Sequence, residues 1–142
     1  MLIGELALTT AAAFTGAAVY VNAVEQPARL ALDDKALLMQ WQESYPRGFA
    51  MQASLALGSA LFGLAACWLS GDWRWVVGAL LIFANWPFTL LAILPVNKRL
   101  QAVSPDAADG ATRRLIETWG LLHGGRSALG LLATVAFIWS IH

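Results

Sequence analysis

The chain has 142 residues, of which 58% are hydrophobic and only 13% are charged, and nine basic side chains balance nine acidic ones. Its mean hydropathy of +0.61 and its low charged fraction, against roughly 25% in soluble domains, predict an integral membrane protein. A net charge of zero provides no basic surface for a phosphate backbone, so nucleic acid is excluded as a partner. A single cysteine excludes an internal disulfide and any cysteine-rich metal site.

Four apolar stretches predict an all-α fold with four membrane-spanning helices in a single domain, residues 1–142. Because a bilayer core requires roughly 20 apolar residues per helix, we place the spans at about residues 3–24, 48–70, 75–95 and 114–140. The first stretch has no basic residue at its start and contains Glu5, so we expect a retained span rather than a signal peptide. Small residues along the spans favour a compact four-helix bundle and make homo-oligomerisation plausible.

The distribution of basic residues predicts the orientation of the bundle. Three lie in loop one and four in loop three, whereas loop two has one; in that order they are Arg29, Lys35 and Arg47, then Lys98, Arg99, Arg113 and Arg114, then Arg74. The positive-inside rule therefore places loops one and three in the cytoplasm and both termini outside. We expect the membrane to be the inner membrane of a bacterium.

Loop one is predicted to contain a short interfacial helix between spans one and two. Asp33-Asp34 can cap a helix, and Leu37, Leu38 and Trp41 share one face of the helix that follows. The sequence Tyr45-Pro46 is expected to interrupt this helix before span two begins, because the residue that precedes a proline disfavours helical geometry.

Span three carries two further features. Trp73 and Trp75 lie at its outer boundary, where tryptophan typically anchors a helix to the interface. Pro87 frees a backbone carbonyl inside the span, and Asn85 and Thr89 flank it. A tolerated kink that neighbouring helices satisfy is favoured over a binding role for these residues.

Span four contains the most informative residues of the chain. At 100° per residue, Trp119, His123, Arg126 and Gly130 fall within a 60° arc of one helix face. A lone histidine is often a satisfied packing residue. However, an ionisable group at membrane depth costs several kcal/mol unless it is paired or hydrated, so His123 beside Arg126 favours a functional pocket.

The topology predicts which polar residues accompany this face. Glu25 and Arg29 end span one, and Asn97 and Arg99 end span three, so all four lie in the same cytoplasmic half as His123. Arg99 is more simply explained as a topology signal or a lipid head-group contact than as a site residue. Because the span ends are shallower than His123, an aqueous pocket open to the cytoplasm fits these positions better than a tight Glu25–Arg126 ion pair.

The residue types limit the chemistry of this pocket. One histidine and one carboxylate fall short of a three-ligand metal site, because His142 lies at the opposite end of the bundle. Haem or a metal at His123 stays open as an alternative. With no serine or cysteine positioned as a nucleophile, the pattern indicates His123 as a general base, Arg126 as an anion stabiliser and Trp119 as a stacking surface.

Three motifs follow one another along the chain. They are Gly16-x-x-x-Tyr20 leading to Glu25-Gln-Pro27-Ala-Arg29, then Leu94-Pro95-x-Asn97-Lys98-Arg99-Leu100, then Trp119-x-x-x-His123-x-x-Arg126. Their order and their placement relative to the spans resemble the anthrone oxygenase-like family of small four-span membrane proteins, over essentially the whole chain.

This resemblance implies an oxygenase that needs no cofactor and acts on a hydrophobic aromatic substrate of the anthrone or hydroquinone type. A base removes a proton from the substrate, the carbanion reduces dioxygen, and a quinone forms. Our role assignments on the motif positions are these: His123 as base, Arg126 and Asn97 on the oxyanion, Trp119 stacking, Glu25 and Arg29 orienting the polar network, and Tyr20 among the substrate-binding residues.

A different class of function remains open from the sequence. The same pocket could hold a quinone, a lipid or another hydrophobic small molecule without turnover. In that case the chain is a membrane protein that binds a small molecule, with the bilayer as its other partner.

Overall fold

The computed structural model describes residues 1–142 and is entirely helical, with no strand. Four helices are long and apolar enough to cross a membrane, and they span Leu2–Leu30, Asp34–Ser70, Arg74–Ala102 and Gly110–Ile141. Each is longer than its predicted span, because the helices continue past the apolar stretch into the polar loops. We refer to them as spans one to four.

Spans one and three share an internal pattern. Span one consists of α1 (Leu2–Tyr20), a π turn (Val21–Glu25) and α2 (Gln26–Leu30). Span three consists of α4 (Arg74–Phe83), α5 (Asn85–Phe88), a π turn (Thr89–Ile93) and α6 (Leu94–Ala102). The second residue after each π turn is a proline, Pro27 or Pro95. Proline has no backbone N–H to donate, so the wider turn accommodates it while the span stays helical.

Span two is one continuous helix, α3 (Asp34–Ser70), so the prediction of a separate interfacial helix is wrong. Its start was predicted correctly, since the Asp33 carboxylate accepts a hydrogen bond from the Ala36 N–H at 2.9 Å. Pro46 lies inside the helix without ending it. Leu37 and Trp41 are fully buried against the other spans rather than lying at an interface, and this burial offsets the hydrogen bond that Pro46 loses.

The four spans pack as a ring, in which span four is the single helix α7 (Gly110–Ile141). Spans one and three each pack against both α3 and α7. Lys35–Asp106 and Arg113–Asp34 ion pairs join loop one to loop three. At the opposite end, Arg74 donates to the Trp139 carbonyl at 2.9 Å. Loops one and three therefore lie at the same end of the bundle.

The core has two apolar clusters, one in each half of the bundle. In the half that contains the termini, Trp75 packs against Phe137 with ring centroids 5.9 Å apart. Trp75 is only 5% exposed, so its prediction as an interfacial anchor is wrong, whereas Trp73 is 64% exposed. A Cβ on Gly78 would lie 2.4 Å from the Phe137 ring, so a glycine is needed there. The second cluster surrounds Trp41 and Trp119.

Candidate functional site

A polar pocket separates the two apolar clusters. This inner pocket has a volume of about 40 Å³, which is room for a few water-sized groups. The residues that line it come from spans one, two and four: Val21, Glu25, Arg29, Ser44, Tyr45, Gly48, Phe49, Gln52, Trp119, His123 and Arg126. Of the four residues predicted on one face of span four, Trp119, His123 and Arg126 line this pocket, whereas Gly130 packs against Phe14.

His123 is held in one orientation by Asn22, a residue of the first π turn. Its Nδ1 lies 2.9 Å from the Asn22 side-chain oxygen. That oxygen also accepts from the Ser127 hydroxyl at 2.8 Å, and the Asn22 amide nitrogen donates to the Gly120 carbonyl at 2.8 Å. These two contacts fix which end of the amide faces the ring, because a reversed amide would place two oxygens in contact. Nδ1 must therefore carry the proton, which leaves a free lone pair on Nε2.

Arg126 is buried without a counter-ion. The residue is 5% exposed, no carboxylate lies within salt-bridge distance, and its guanidinium has no hydrogen-bond partner in the protein. The guanidinium lies over the face of Phe14, 5.5 Å from the ring centroid. A buried guanidinium is strongly destabilised without a partner. The inner pocket therefore carries a positive charge that a bound anion would neutralise.

Arg29 differs from Arg126, because its charge is compensated. Its guanidinium pairs with the Glu25 carboxylate one helical turn earlier and donates to the Ser44 hydroxyl at 3.1 Å. Gln40 also donates to the Glu25 carboxylate at 3.1 Å. As the sequence indicated, Glu25 forms no ion pair with Arg126. Glu25 and Arg29 thus form a neutral, hydrogen-bonded part of the pocket wall beside the unpaired guanidinium of Arg126.

Aromatic side chains complete the wall of the inner pocket. Arg29 covers the Trp119 ring at 5.4 Å, and the His123 ring centroid lies 5.0 Å from that of Trp119. Tyr45 stacks on Trp41 at 4.9 Å, and its hydroxyl accepts from the Asn97 amide at 2.8 Å. In this arrangement the hydroxyl proton of Tyr45 is free to be donated to a ligand.

The structure brings together five of the seven predicted site residues. Glu25, Arg29, Trp119, His123 and Arg126 all line the inner pocket.

The other two predicted residues lie outside the inner pocket. Asn97 is fully buried behind Tyr45 and contacts its hydroxyl, so Tyr45 rather than Asn97 lines the inner pocket. Tyr20 is 57% exposed and lines a neighbouring groove. Tyr45 was not predicted as a site residue, because Tyr45-Pro46 was interpreted as a helix interruption. Asn22 was not predicted as a site residue either.

An outer groove leads into the inner pocket between spans one and two. It encloses about 590 Å³, within the range of about 300–1,000 Å³ that is typical of small-molecule sites. Tyr20 and Met51 line its deeper part, and Glu43 and Arg47 lie towards the loop end. The two cavities share five lining residues: Val21, Glu25, Ser44, Gly48 and Gln52. The groove has the room for a multi-ring molecule that the inner pocket lacks.

The donor set of the chain is poor in metal ligands. No group of three or more His, Cys, Asp or Glu side chains lies close enough together to hold a metal ion. Whether the chain takes a metal or haem through His123 alone stays a prediction to be tested.

Comparison with known proteins identifies the family. The profile of the family described as Anthrone oxygenase matches residues 41–136, well over half of the chain. The chain belongs to the anthrone oxygenase family. Its similarity to an Anthrone oxygenase of Claviceps purpurea (strain 20.1) is 27% identity over 144 residues, covering 92% of this chain and 83% of that protein. No solved structure matches the chain significantly.

The matched region of this anthrone oxygenase family member contains most of the inner pocket. Residues 41–136 include Tyr45, Trp119, His123 and Arg126, together with Asn97 behind the pocket. The part of the wall that span one supplies precedes the matched region, and the similarity to the fungal relative extends over nearly the whole chain.

Proposed function

We propose that this chain is a membrane-embedded oxygenase that needs no cofactor and oxidises a hydrophobic aromatic substrate of the anthrone or hydroquinone type. The observation that carries the proposal is the unpaired guanidinium of Arg126 beside a histidine whose Nε2 lone pair is free. A base next to an uncompensated cation favours a substrate that becomes an anion during the reaction.

The first step is the loss of a proton from carbon. In an anthrone, the CH₂ group opposite the ketone loses a proton to Nε2 of His123, and the negative charge spreads onto the ketone oxygen. Arg126 and the hydroxyl of Tyr45 are the donors available to that oxygen. Asn22 receives the Nδ1–H of the imidazolium, so it keeps the ring in the tautomer that the step requires.

The second step consumes dioxygen. The carbanion transfers one electron to dioxygen, and the substrate radical and superoxide then combine through a new C–O bond. His123 returns its proton to the distal oxygen, which gives a hydroperoxide. Loss of the second C–H proton and cleavage of the O–O bond release water and leave a C=O group. The sum is anthrone plus dioxygen giving anthraquinone plus water, with no external reductant.

The outer groove is the route by which such a substrate reaches the base. Its volume suits a planar three-ring molecule, whose reactive edge would enter the inner pocket past Gly48. We place the groove at the cytoplasmic side, with loops one and three in the cytoplasm, on the basis of the basic residues in those loops. In this arrangement a hydrophobic substrate could arrive from the membrane.

The test is oxygen uptake by the purified protein in detergent with an anthrone as substrate. We expect His123→Ala to lower kcat by about 10²–10⁴-fold and Arg126→Gln by about 10²–10³-fold. Lys98→Gln, an exposed basic residue outside the pocket, is the control and should match the wild type. No acceleration over buffer by the wild type, or an unchanged rate in His123→Ala, would refute the proposal.

Two further measurements address the alternatives. If tryptophan fluorescence shows that a quinone or lipid binds while no oxygen is consumed, the chain is a binding protein rather than an enzyme. Metal analysis and an absorption spectrum test the cofactor: stoichiometric transition metal or a Soret band that disappears in His123→Ala would replace the cofactor-free scheme.

A further inference from the structure

A second cavity adjoins the inner pocket at Arg126. This side chamber has a volume of about 20 Å³. Its lining comes from α3, span three and span four: Phe49, Ala53, Ala56, Asn85, Trp86, Thr89, Leu90 and Arg126. Phe49 and Arg126 also line the inner pocket, so they form the partition between the two cavities.

Four polar atoms of the residues that line the side chamber have no hydrogen-bond partner within the protein, although the Asn85 amide nitrogen donates to the Ile82 carbonyl at 3.1 Å. The Asn85 side-chain oxygen, the Trp86 indole N–H, the Thr89 hydroxyl and the Nε–H of Arg126 are all buried without a hydrogen bond. Asn85 and Thr89 are 2% and 5% exposed. Four unpartnered polar atoms around one small space are unusual in a folded protein, where almost all such atoms are satisfied. The sequence predicted only that Asn85 and Thr89 flank a tolerated kink at Pro87, and such a kink does not explain these unpartnered atoms.

The size and composition of the side chamber identify the class of ligand that it fits. About 20 Å³ accommodates a molecule of one or two heavy atoms and nothing larger. Phe49, Ala53, Ala56 and Leu90 provide apolar walls suited to a neutral diatomic gas. Three donors, on Trp86, Thr89 and Arg126, are suited to an oxygen species that has gained negative charge. Dioxygen is a neutral diatomic gas when it arrives, and it becomes a negatively charged oxygen species once it is reduced.

We infer that the side chamber is the dioxygen site of the reaction, an inference that rests on the proposed function. Dioxygen enters the chamber and accepts one electron from the substrate carbanion across the Phe49–Arg126 partition. The resulting superoxide is stabilised by Arg126 and by the N–H of Trp86. It then passes Phe49 into the inner pocket, where it forms the C–O bond with the substrate radical and His123 protonates the distal oxygen of the peroxide.

The experiment measures the initial rate against dissolved oxygen and, separately, against anthrone. Ala53→Leu fills the chamber, and Thr89→Val removes the hydroxyl with little change of shape. Ala50→Leu adds the same volume on the exposed face of the same helix and is the matched control. We expect Ala53→Leu to raise the KM for oxygen by about tenfold, Thr89→Val to raise it by about threefold, and both to leave the KM for anthrone unchanged.

The outcomes separate this inference from the proposed function. If the wild type consumes no oxygen with any anthrone, the proposed function fails and the dioxygen site fails with it. If the wild type turns over and the KM for oxygen is unchanged in Thr89→Val and in Ala53→Leu, the chamber holds a structural water only and the inference alone is wrong. Should Ala53→Leu fail to fold, the shape-conserving Thr89→Val decides between these outcomes.

Discussion

Replacement of Asn22 by leucine tests whether the tautomer of His123 controls the reaction. Asn22→Leu keeps the approximate volume of the side chain but removes the only acceptor for the Nδ1–H of His123. The imidazole can then carry its proton on Nε2 instead, and in that form Nε2 cannot accept a proton from the substrate. The substitution leaves His123, Arg126 and the aromatic walls in place.

The expected magnitude follows from the hydrogen bonds that are lost. A net hydrogen bond contributes about 1 kcal/mol, which corresponds to a roughly fivefold preference for the productive tautomer. Loss of the fixed ring orientation adds to this, and residues that orient a catalytic or ligating histidine typically contribute about 10–100-fold. We therefore expect kcat to fall by about 10–100-fold with little change in the KM for anthrone. Ser127 can redirect its hydroxyl to a helix carbonyl, so the loss of stability should stay near about 1–2 kcal/mol.

The assay combines oxygen uptake with ¹⁵N NMR of labelled histidine. The chain has only two histidines, His123 and His142, so one additional variant is enough to assign their NMR signals. The wild type should show a protonated Nδ1 and an unprotonated Nε2 on His123, and Asn22→Leu should show the other tautomer or a mixture. Ser127→Ala, which keeps the Asn22–His123 contact, is the control and should behave like the wild type. An unchanged tautomer or an unchanged kcat in Asn22→Leu would refute the reasoning.

Three further predictions concern the groove, the core and a helix cap. Gly48→Phe should raise the KM for anthrone by about tenfold without loss of thermal stability, because a Cβ there meets no atom within 4 Å and projects where the groove joins the inner pocket. Gly78→Ala should lower the free energy of unfolding by about 1–3 kcal/mol through its clash with Phe137, whereas Gly58→Ala, which meets nothing, should be neutral or stabilising. The backbone N–H of the first turn of α7 holds the pKa of Asp109 below its usual range, so its stabilising contribution is full above about pH 4 and is lost as the pH falls through the depressed pKa. Thermal unfolding between pH 6 and pH 3 should show this loss in the wild type but a flatter profile in Asp109→Asn, and equal profiles would contradict the assignment.

The sequence was sufficient for the features that depend on one helix at a time. Hydropathy located the four apolar helices, and the 100° spacing correctly placed Trp119, His123 and Arg126 on one buried face. Asp33 was recognised as a helix start because capping chemistry is local.

Features that depend on contacts between helices were not accessible from the sequence. Gln26 lies eight residues after Ala18, about 80° around a regular α-helix, yet both are buried. The extra residue of the π turn realigns them, and a periodicity analysis that assumes one helical repeat cannot detect it. Likewise, α3 continues past Pro46 because its residues are buried against the other spans. The contact between Tyr45 and Asn97, which leaves Tyr45 at the pocket, also arises only when the spans pack together.

The π turns of spans one and three also have an evolutionary consequence. A regular helix transmits any insertion or deletion as a rotation of every residue beyond it. A turn that already holds one residue too many can lose it, or shift along the chain, so the outer half of span one can drift in its packing while Asn22 keeps facing His123. The helix therefore has two independently adjustable halves, one that holds the scaffold together and one that faces the inner pocket.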